Sequence, residues 1–357
     1  MSKHPELGLI EGFYGRPWTW KDREDAAVFL SGHGYSFYHF APKADLFLRR
    51  RWQEMHPAED AAGLASLSRT CRAHGMRFGV GLSPFEIYRD FNDEVRDALT
   101  AKLAFLDEIG IDDLAILFDD MRGDFPDLAQ KQAEIAHWIK ERSAATRILV
   151  CPSYYTDDPV LDRIFGQRPE NYLEDLGRLL DPAIEILWTG EEVCAREFSA
   201  GHLARVTKQL ARKPFLWDNY PVNDGPRMSQ FLHIRAFTGR PASIGAHIAA
   251  HGVNPASQPM LSRIPSLTLL RSYEQGEAYE YGAALADAAQ KVLGDDLART
   301  LVNDVLVLND SGLDRLAPSA SEKLRARYAA FDHPAAQEIV DWLDGGYRIT
   351  QEIMDNQ

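Results

Sequence analysis

Short apolar runs alternate with longer stretches of helical periodicity from Leu7 to about residue 265 of the chain. The runs are Leu7–Gly12, Ser36–Ala41, Met76–Leu82, Asp113–Asp119, Arg147–Cys151, Ile184–Trp188, Pro214–Trp217 and Ser243–Ala249. Near-continuous apolarity over so few residues suits strands buried on both faces. Between them, Trp20–Ser31, Asp60–Ala73, Asp93–Ile109 and Leu128–Arg142 carry their apolar residues on one helical face. Thr19 with Asp22 makes a helix-start box, Gly32 and Gly34 suit the stop, and Gly75 and Gly110 end the next two helices. Eight strands alternating with helices predict an α/β fold, a (β/α)8 barrel over residues 5–268. No Gly-rich phosphate loop follows the first run, which disfavours a doubly wound dinucleotide fold.

From residue 269 to 357 the pattern is helical, with candidates at Tyr279–Leu293, Asp295–Leu308, Ala320–Phe331 and Ala335–Ile353. This C-terminal helical region reads as an appendage packed on the barrel or on a partner, and its amphipathic helices offer a surface for a homodimer.

The 357 residues fit one large barrel or two medium domains. A net charge of -14 argues against nucleic acid or an anionic membrane as the main partner. The compact basic run Arg49-Arg50-Arg51 reads as a solvated face. Cys71, Cys151 and Cys194 are too few and too scattered for a disulfide framework or a zinc site. With no signal-peptide pattern and no membrane-length apolar run, the expectation is a cytoplasmic protein without metal or organic cofactor.

In a barrel, the residues just after each strand line one mouth. They include Gly12-Phe13-Tyr14-Gly15-Arg16-Pro17-Trp18, Lys43 and Asp45, then Asp119-Asp120 and Ser153-Tyr154-Tyr155. Further along come Thr189-Gly190-Glu191-Glu192, Asp218-Asn219, Asn223-Asp224, and finally His251 and Asn254. Aromatic rings interleaved with acids and amides suit a sugar, whose C–H faces pack on rings while its hydroxyls meet polar groups. Asp119-Asp120 is the sharpest signal. Two acids of different protonation state can cleave a glycosidic bond, and adjacent carboxylates disfavour simultaneous ionisation, leaving one protonated near neutral pH. The pair could equally cap the next helix. Glu191-Glu192 reads as a helix N-terminus, Glu11 as a support for the first loop from inside the barrel, and His247 and His251 as interior residues rather than metal ligands. Lys43 is a surface lysine or a site residue, and Trp217 a core residue or a pocket wall.

Several of these motifs together resemble glycoside hydrolase family 84, the O-GlcNAcases and related bacterial β-N-acetylglucosaminidases. Gly8-Leu9-Ile10-Glu11-Gly12-Phe13-Tyr14-Gly15-Arg16-Pro17-Trp18 is similar to its opening strand, and Tyr38-His39-Phe40-Ala41-Pro42-Lys43 to its second-strand motif. Leu117-Phe118-Asp119-Asp120 is similar to its catalytic motif. Trp188-Thr189-Gly190, Leu216-Trp217-Asp218-Asn219 with Asn223-Asp224, and Asn254-Pro255 follow in the family's order, so that the resemblance covers about residues 7 to 270.

The resemblance implies a retaining, substrate-assisted mechanism through an oxazoline, in which the substrate's 2-acetamido oxygen is the nucleophile. It assigns Asp119 to the acetamide N–H and Asp120 to general acid and base. Asn219 falls on the acetamide side, Asp224 and Asn254 on the distal sugar hydroxyls, and Lys43 with the Gly12 carbonyl near the 3-hydroxyl. Tyr155 stands near the acetamido pocket and Trp217 forms part of its wall. The implied substrate is a GlcNAc-bearing glycoprotein or a small β-N-acetylglucosaminide. Departures concern the surroundings: no secretion signal or domain before the barrel is expected, the loop Met121-Arg122-Gly123-Asp124 differs, and the C-terminal helices match no motif. A hexosaminidase of longer polymers such as hyaluronan is one rival. A non-catalytic GlcNAc- or glycopeptide-binding barrel is another, although such a module would not need the acid Asp120.

Overall fold

A computed structural model describes residues 4–357. Among these residues eight strands, each parallel to its neighbours, close into a barrel in sequence order. They are β1 Glu6–Glu11, β2 Tyr35–Phe40, β3 Arg77–Leu82, β4 Asp113–Leu117, β5 Arg147–Cys151, β6 Glu185–Trp188, β7 Phe215–Asp218 and β8 Ala250–Val253. The helices that cover the barrel are α1 Trp20–Ser31, α2 Ala58–Ala73, α3 Asp93–Ile109, α4 Leu128–Lys140, α5 Val160–Phe165, α6 Tyr172–Leu179, α7 Ala200–Leu210, α8 Gly225–Met228 and α9 Arg263–Gln275. Then follow α10 Tyr281–Leu293, α11 Asp295–Asp310, α12 Pro318–Ala329, α13 Pro334–Leu343 and α14 Gln351–Asn356. The start of α1 is the expected capping box of Thr19 and Asp22. Gly110, at φ 80°, closes α3.

Seven strands lie where the apolar runs put them. The eighth does not: Ala242–His247 is a 3-10 turn seating the buried Ile244, and the strand is Ala250–Val253. Gly252 pairs with Gly8 of β1, and a Cβ on it would stand 2.4 Å from the Ile10 side chain. The strand settles where a residue without a side chain lets Ile10 fill the barrel. His251 therefore belongs to the strand rather than to the loop after it. Its ring is buried between the Asp218 carboxylate and the Tyr273 hydroxyl.

Asp218 likewise ends β7 fully buried, gripped by Arg240 at 2.6 and 2.8 Å and by His251 at 2.9 Å. Burial opposes its ionisation, but Arg240 and His251 hold its carboxyl below the usual range. Glu11 is not directed into the barrel. Its carboxylate takes Arg23 of α1 and the Tyr38 hydroxyl, bolting the first helix to the sheet. Glu191 and Glu192 stand in a bend well before α7, and Glu192 pairs with Arg196.

The division placed between residues 268 and 269 falls inside α9. A second apolar core joins Leu261, Ile264 and Leu267 to residues of α10 to α13, and Glu338 of α13 accepts the backbone N–H groups of Met260 and Leu261 at 2.7 and 2.9 Å. The helix expected over Ala335–Ile353 is two helices, broken at Gly345, whose φ of 82° favours glycine. No helix among the described residues is long and apolar enough to cross a membrane.

Asp218→Ala should leave Arg240 buried without its counter-charge and cost about 3–5 kcal/mol of stability. Urea unfolding checks this; an unchanged midpoint would mean that the ion pair adds nothing to the barrel's upper rim.

Candidate active site

The carboxyl ends of the strands open on a cavity of about 580 Å³. Gly12, Lys43, Asp119, Asp120, Tyr155, Trp217, Asn219, Asp224 and Asn254, all named from sequence, line it together. Asp119 stands two residues beyond β4 and is buried. Asp120 follows with φ 55°, a left-handed conformation that a short polar side chain tolerates and that here turns the chain sharply. The Lys43 ammonium is hydrogen-bonded to Asp119 Oδ2 and lies 3.4 Å from Asp120 Oδ2. Burial opposes charge on Lys43, yet the two carboxylates raise its pKa.

Asp120 is braced from both sides. The Tyr14 hydroxyl donates to Oδ2 at 2.9 Å and the Tyr155 hydroxyl to Oδ1 at 3.1 Å. Arg49 approaches the Asp120 main-chain oxygen at 3.5 Å. Burial raises the Asp120 pKa, but Lys43, Arg49 and the two tyrosines outweigh it, so the carboxyl sits below its ordinary range. Lys43 stands against both adjacent acids and so offsets the mutual repulsion from which a retained proton was expected. The raised carboxyl is Asp224, pushed up to about 6 by burial and by the Asp120 charge, against the Tyr14 N–H and Lys43. Tyr14 joins the two acids, since its backbone N–H donates to Asp224 Oδ2 at 3.0 Å.

A chain of amides fixes the opposite wall. Gly12 N–H donates to Asn254 Oδ1 at 3.2 Å, Asn254 Nδ2 to Asn219 Oδ1 at 2.8 Å, and Asn219 Nδ2 to the Val193 carbonyl at 2.8 Å. Asn254 thus commits its side-chain amide to Gly12 and Asn219. A Cβ on Gly12 would fall 2.2 Å from the Trp217 ring, so glycine is required there for the tryptophan to form the wall. Three buried polar atoms of the cavity lining lack a partner among the described residues: Arg49 Nε, Asp119 Oδ1 and Trp217 Nε1. Leaving such atoms unpaired is costly, and of the three only Asp119 Oδ1 is an acceptor.

Sequence reasoning missed Tyr14 and Arg49. Tyr14 lay in plain view in the loop after β1, but nothing in its spacing marked it as a brace for Asp120. Arg49 was expected on a solvated face. It is buried, because the turn Leu46–Leu48 folds it back over the mouth. Arg50 stays exposed and lines the cavity. Among the described residues no group of three or more His, Cys, Asp or Glu side chains could hold a metal ion.

A sequence profile of the β-N-acetylglucosaminidase family matches residues 7–305. The Protein O-GlcNAcases of Mus musculus and Rattus norvegicus are each 31% identical to the chain over 234 residues, 63% of its length. The chain spans about a quarter (25%) of the length of these curated relatives. A solved mutant of the Thermobaculum terrenum O-GlcNAc hydrolase superposes with a TM-score of 0.79 at 26% identity, covering 96% of this chain and 82% of that one. With the profile spanning most of the chain and the barrel mouth carrying the matching acids and amides, the chain belongs to the β-N-acetylglucosaminidase family, glycoside hydrolase family 84.

Proposed function

We propose that this chain removes terminal β-linked N-acetylglucosamine with retention, by substrate-assisted catalysis through an oxazoline. The reading rests chiefly on Asp119, a buried carboxylate paired with Lys43 whose second oxygen has no donor, directly beside the doubly braced Asp120. An acetamide N–H is the donor that oxygen lacks. Bound there, the group points its carbonyl oxygen at the anomeric carbon, and this proximity replaces an external nucleophile. The acetamide oxygen bonds to the anomeric carbon, the glycosidic C–O bond breaks, and the Asp120 proton passes to the leaving oxygen. Asp119 stabilises the positive charge that develops on the acetamide. Water then attacks the anomeric carbon, gives its proton to Asp120, and reopens the ring to N-acetylglucosamine. The family relatives are named for O-GlcNAc, and we take O-linked GlcNAc on protein as the substrate, with small β-N-acetylglucosaminides as surrogates.

The low pKa of Asp120 without substrate calls for a proton supply. Asp224 holds one proton below about pH 6. Sugar hydroxyls donating to Asp224 favour its anion, while a substrate that engages Lys43 and Tyr155 and excludes water weakens two supports of the Asp120 anion and deepens its burial. In this reading binding moves the site's one proton from Asp224 to Asp120.

Hydrolysis of 4-methylumbelliferyl β-N-acetylglucosaminide, blocked by a thiazoline inhibitor and diminished in Asp120→Asn, would support the reading. Absence of both turnover and thiazoline binding would overturn it.

Two further outcomes follow from the assigned roles. Asp120→Ala should slow glycosides with poor leaving groups by roughly 10²–10⁴-fold and those with good ones far less, while Asp119→Ala slows both. Steady-state rates across a series of aryl glycosides test this, and equal slopes for the two variants would refute the roles. In pH profiles, kcat/KM should fall above about pH 6, where the free site loses the proton on Asp224. The alkaline limb of kcat should lie higher, because the complex holds its proton on a more deeply buried Asp120. A kcat limb at or below the kcat/KM limb would contradict the proton transfer.

A further inference from the structure

The mouth of the cavity is not evenly open. On the side of β7, β1 and β2 it is roofed by α14, whose Gln351 and Met354 line the cavity. The Gly15 N–H donates to Gln357 Oε1 at 2.7 Å, and Gln357 Nε2 returns a hydrogen bond to the Gly15 carbonyl at 3.2 Å. Arg49 holds the Gln357 main-chain oxygen at 2.8 Å, and Met354 lies against Gly225, next to Asp224. Anything leaving the sugar in that direction meets a helix.

The β5 side is lined differently. There α5 supplies Val160, Ile164 and Phe165 to the same cavity. Ile164 is 63% exposed, one of few large apolar side chains so placed among the described residues. The helix is not a loose excursion. The Phe165 carbonyl accepts the Gly123 N–H at 2.9 Å, and the Gly166 carbonyl accepts the Tyr154 hydroxyl at 2.6 Å. It is therefore pinned to the loop Met121-Arg122-Gly123-Asp124 that leaves Asp120, and Tyr155 of the neighbouring segment touches Asp120 itself. Asp120 is also held from the roofed side by Tyr14 and Arg49, so the general acid stands between the α14 roof and the apolar helix.

A proton donor must lie within hydrogen-bond reach of the oxygen it protonates. With α14 roofing one flank of Asp120, the leaving group departs past the other, across α5. We infer that the face of Val160, Ile164 and Phe165 is the specificity-determining floor of the leaving-group site, and that it takes apolar side chains flanking the glycosylated residue of an extended polypeptide. This rests on the reading of Asp120 given above. A sugar leaving group is the poorer fit, because none of the three side chains can hydrogen-bond a hydroxyl and Phe165 supplies the one ring among two aliphatic groups. A polypeptide side chain loses nothing on that surface and removes exposed Ile164 from water.

The test uses two O-GlcNAc serine peptides, identical except that Val and Leu flank the sugar in one and Asp and Ser in the other. Wild type and Ile164→Ser are compared on both, with thiazoline affinity measured in parallel. Because Ile164 is largely exposed, the substitution leaves the fold intact. The expected result is a wild-type kcat/KM preference of roughly three- to tenfold for the apolar-flanked peptide. In Ile164→Ser that preference collapses towards unity, and thiazoline affinity stays within about twofold of wild type. Normal thiazoline binding with no wild-type preference, or with a preference that survives the substitution, overturns the leaving-group floor alone. Failure of the wild type to bind thiazoline overturns the reading of the site and this inference with it.

Discussion

Two carboxylates on consecutive residues, pulled from water at the end of a buried strand, repel one another by an energy on the order of 4 kcal/mol at 4 Å in a medium of intermediate dielectric. Everything else at this barrel mouth is arranged around the cation that offsets that repulsion. Lys43, carried on the loop after β2, reaches Asp119 and Asp120 together. Because the ammonium stands against both, Asp119 can keep one oxygen unpartnered and Asp120 can be set by its own neighbours, Tyr14, Tyr155 and Arg49. The two acids are consecutive in sequence and unlike in environment. That difference is what a division of labour between them requires.

The scaffold beneath serves the same end. The Asp218–Arg240–His251 cluster locks the tops of β7 and β8, and the amide chain from Gly12 through Asn254 and Asn219 to Val193 ties four strand ends into one wall. Side chains held by several such partners at once have little freedom to wander, which suits a site that must hold a sugar in one reactive pose. Trp217 completes the wall only because Gly12 has no side chain. The C-terminal helices are bound to this frame through Glu338 and through the latch of Gln357 on Gly15, so the roof of the cavity belongs to the same structure as its floor.

Seven of the eight strands and the acid pair were legible because they are local signals: a run of apolar residues, a turn glycine, two aspartates after a strand. Asp224 and Asn254 emerged from their order along the chain. The misplacement of the eighth strand has a physical cause, since Ser243–Ala249 is as apolar as a strand and only the packing of Ile10 on Gly252 decides the register. Arg49 shows the same limit. A basic triplet reads as solvated unless one knows that a turn folds its first arginine onto the main-chain oxygen of Asp120, 71 residues further along. The return of α14 over the mouth depends on contacts between residues more than three hundred positions apart, which no periodicity records.

The account turns on the substrate's acetamide acting as nucleophile under the control of Asp119. The most direct measurement is kcat/KM for a series of aryl glycosides whose N-acetyl group carries none, one, two and three fluorine atoms. Each fluorine withdraws electrons from the carbonyl oxygen without enlarging the group greatly. The account predicts a steep, monotonic fall in rate along the series. A flat series would contradict it, since a protein nucleophile or a directly attacking water does not depend on the basicity of that oxygen.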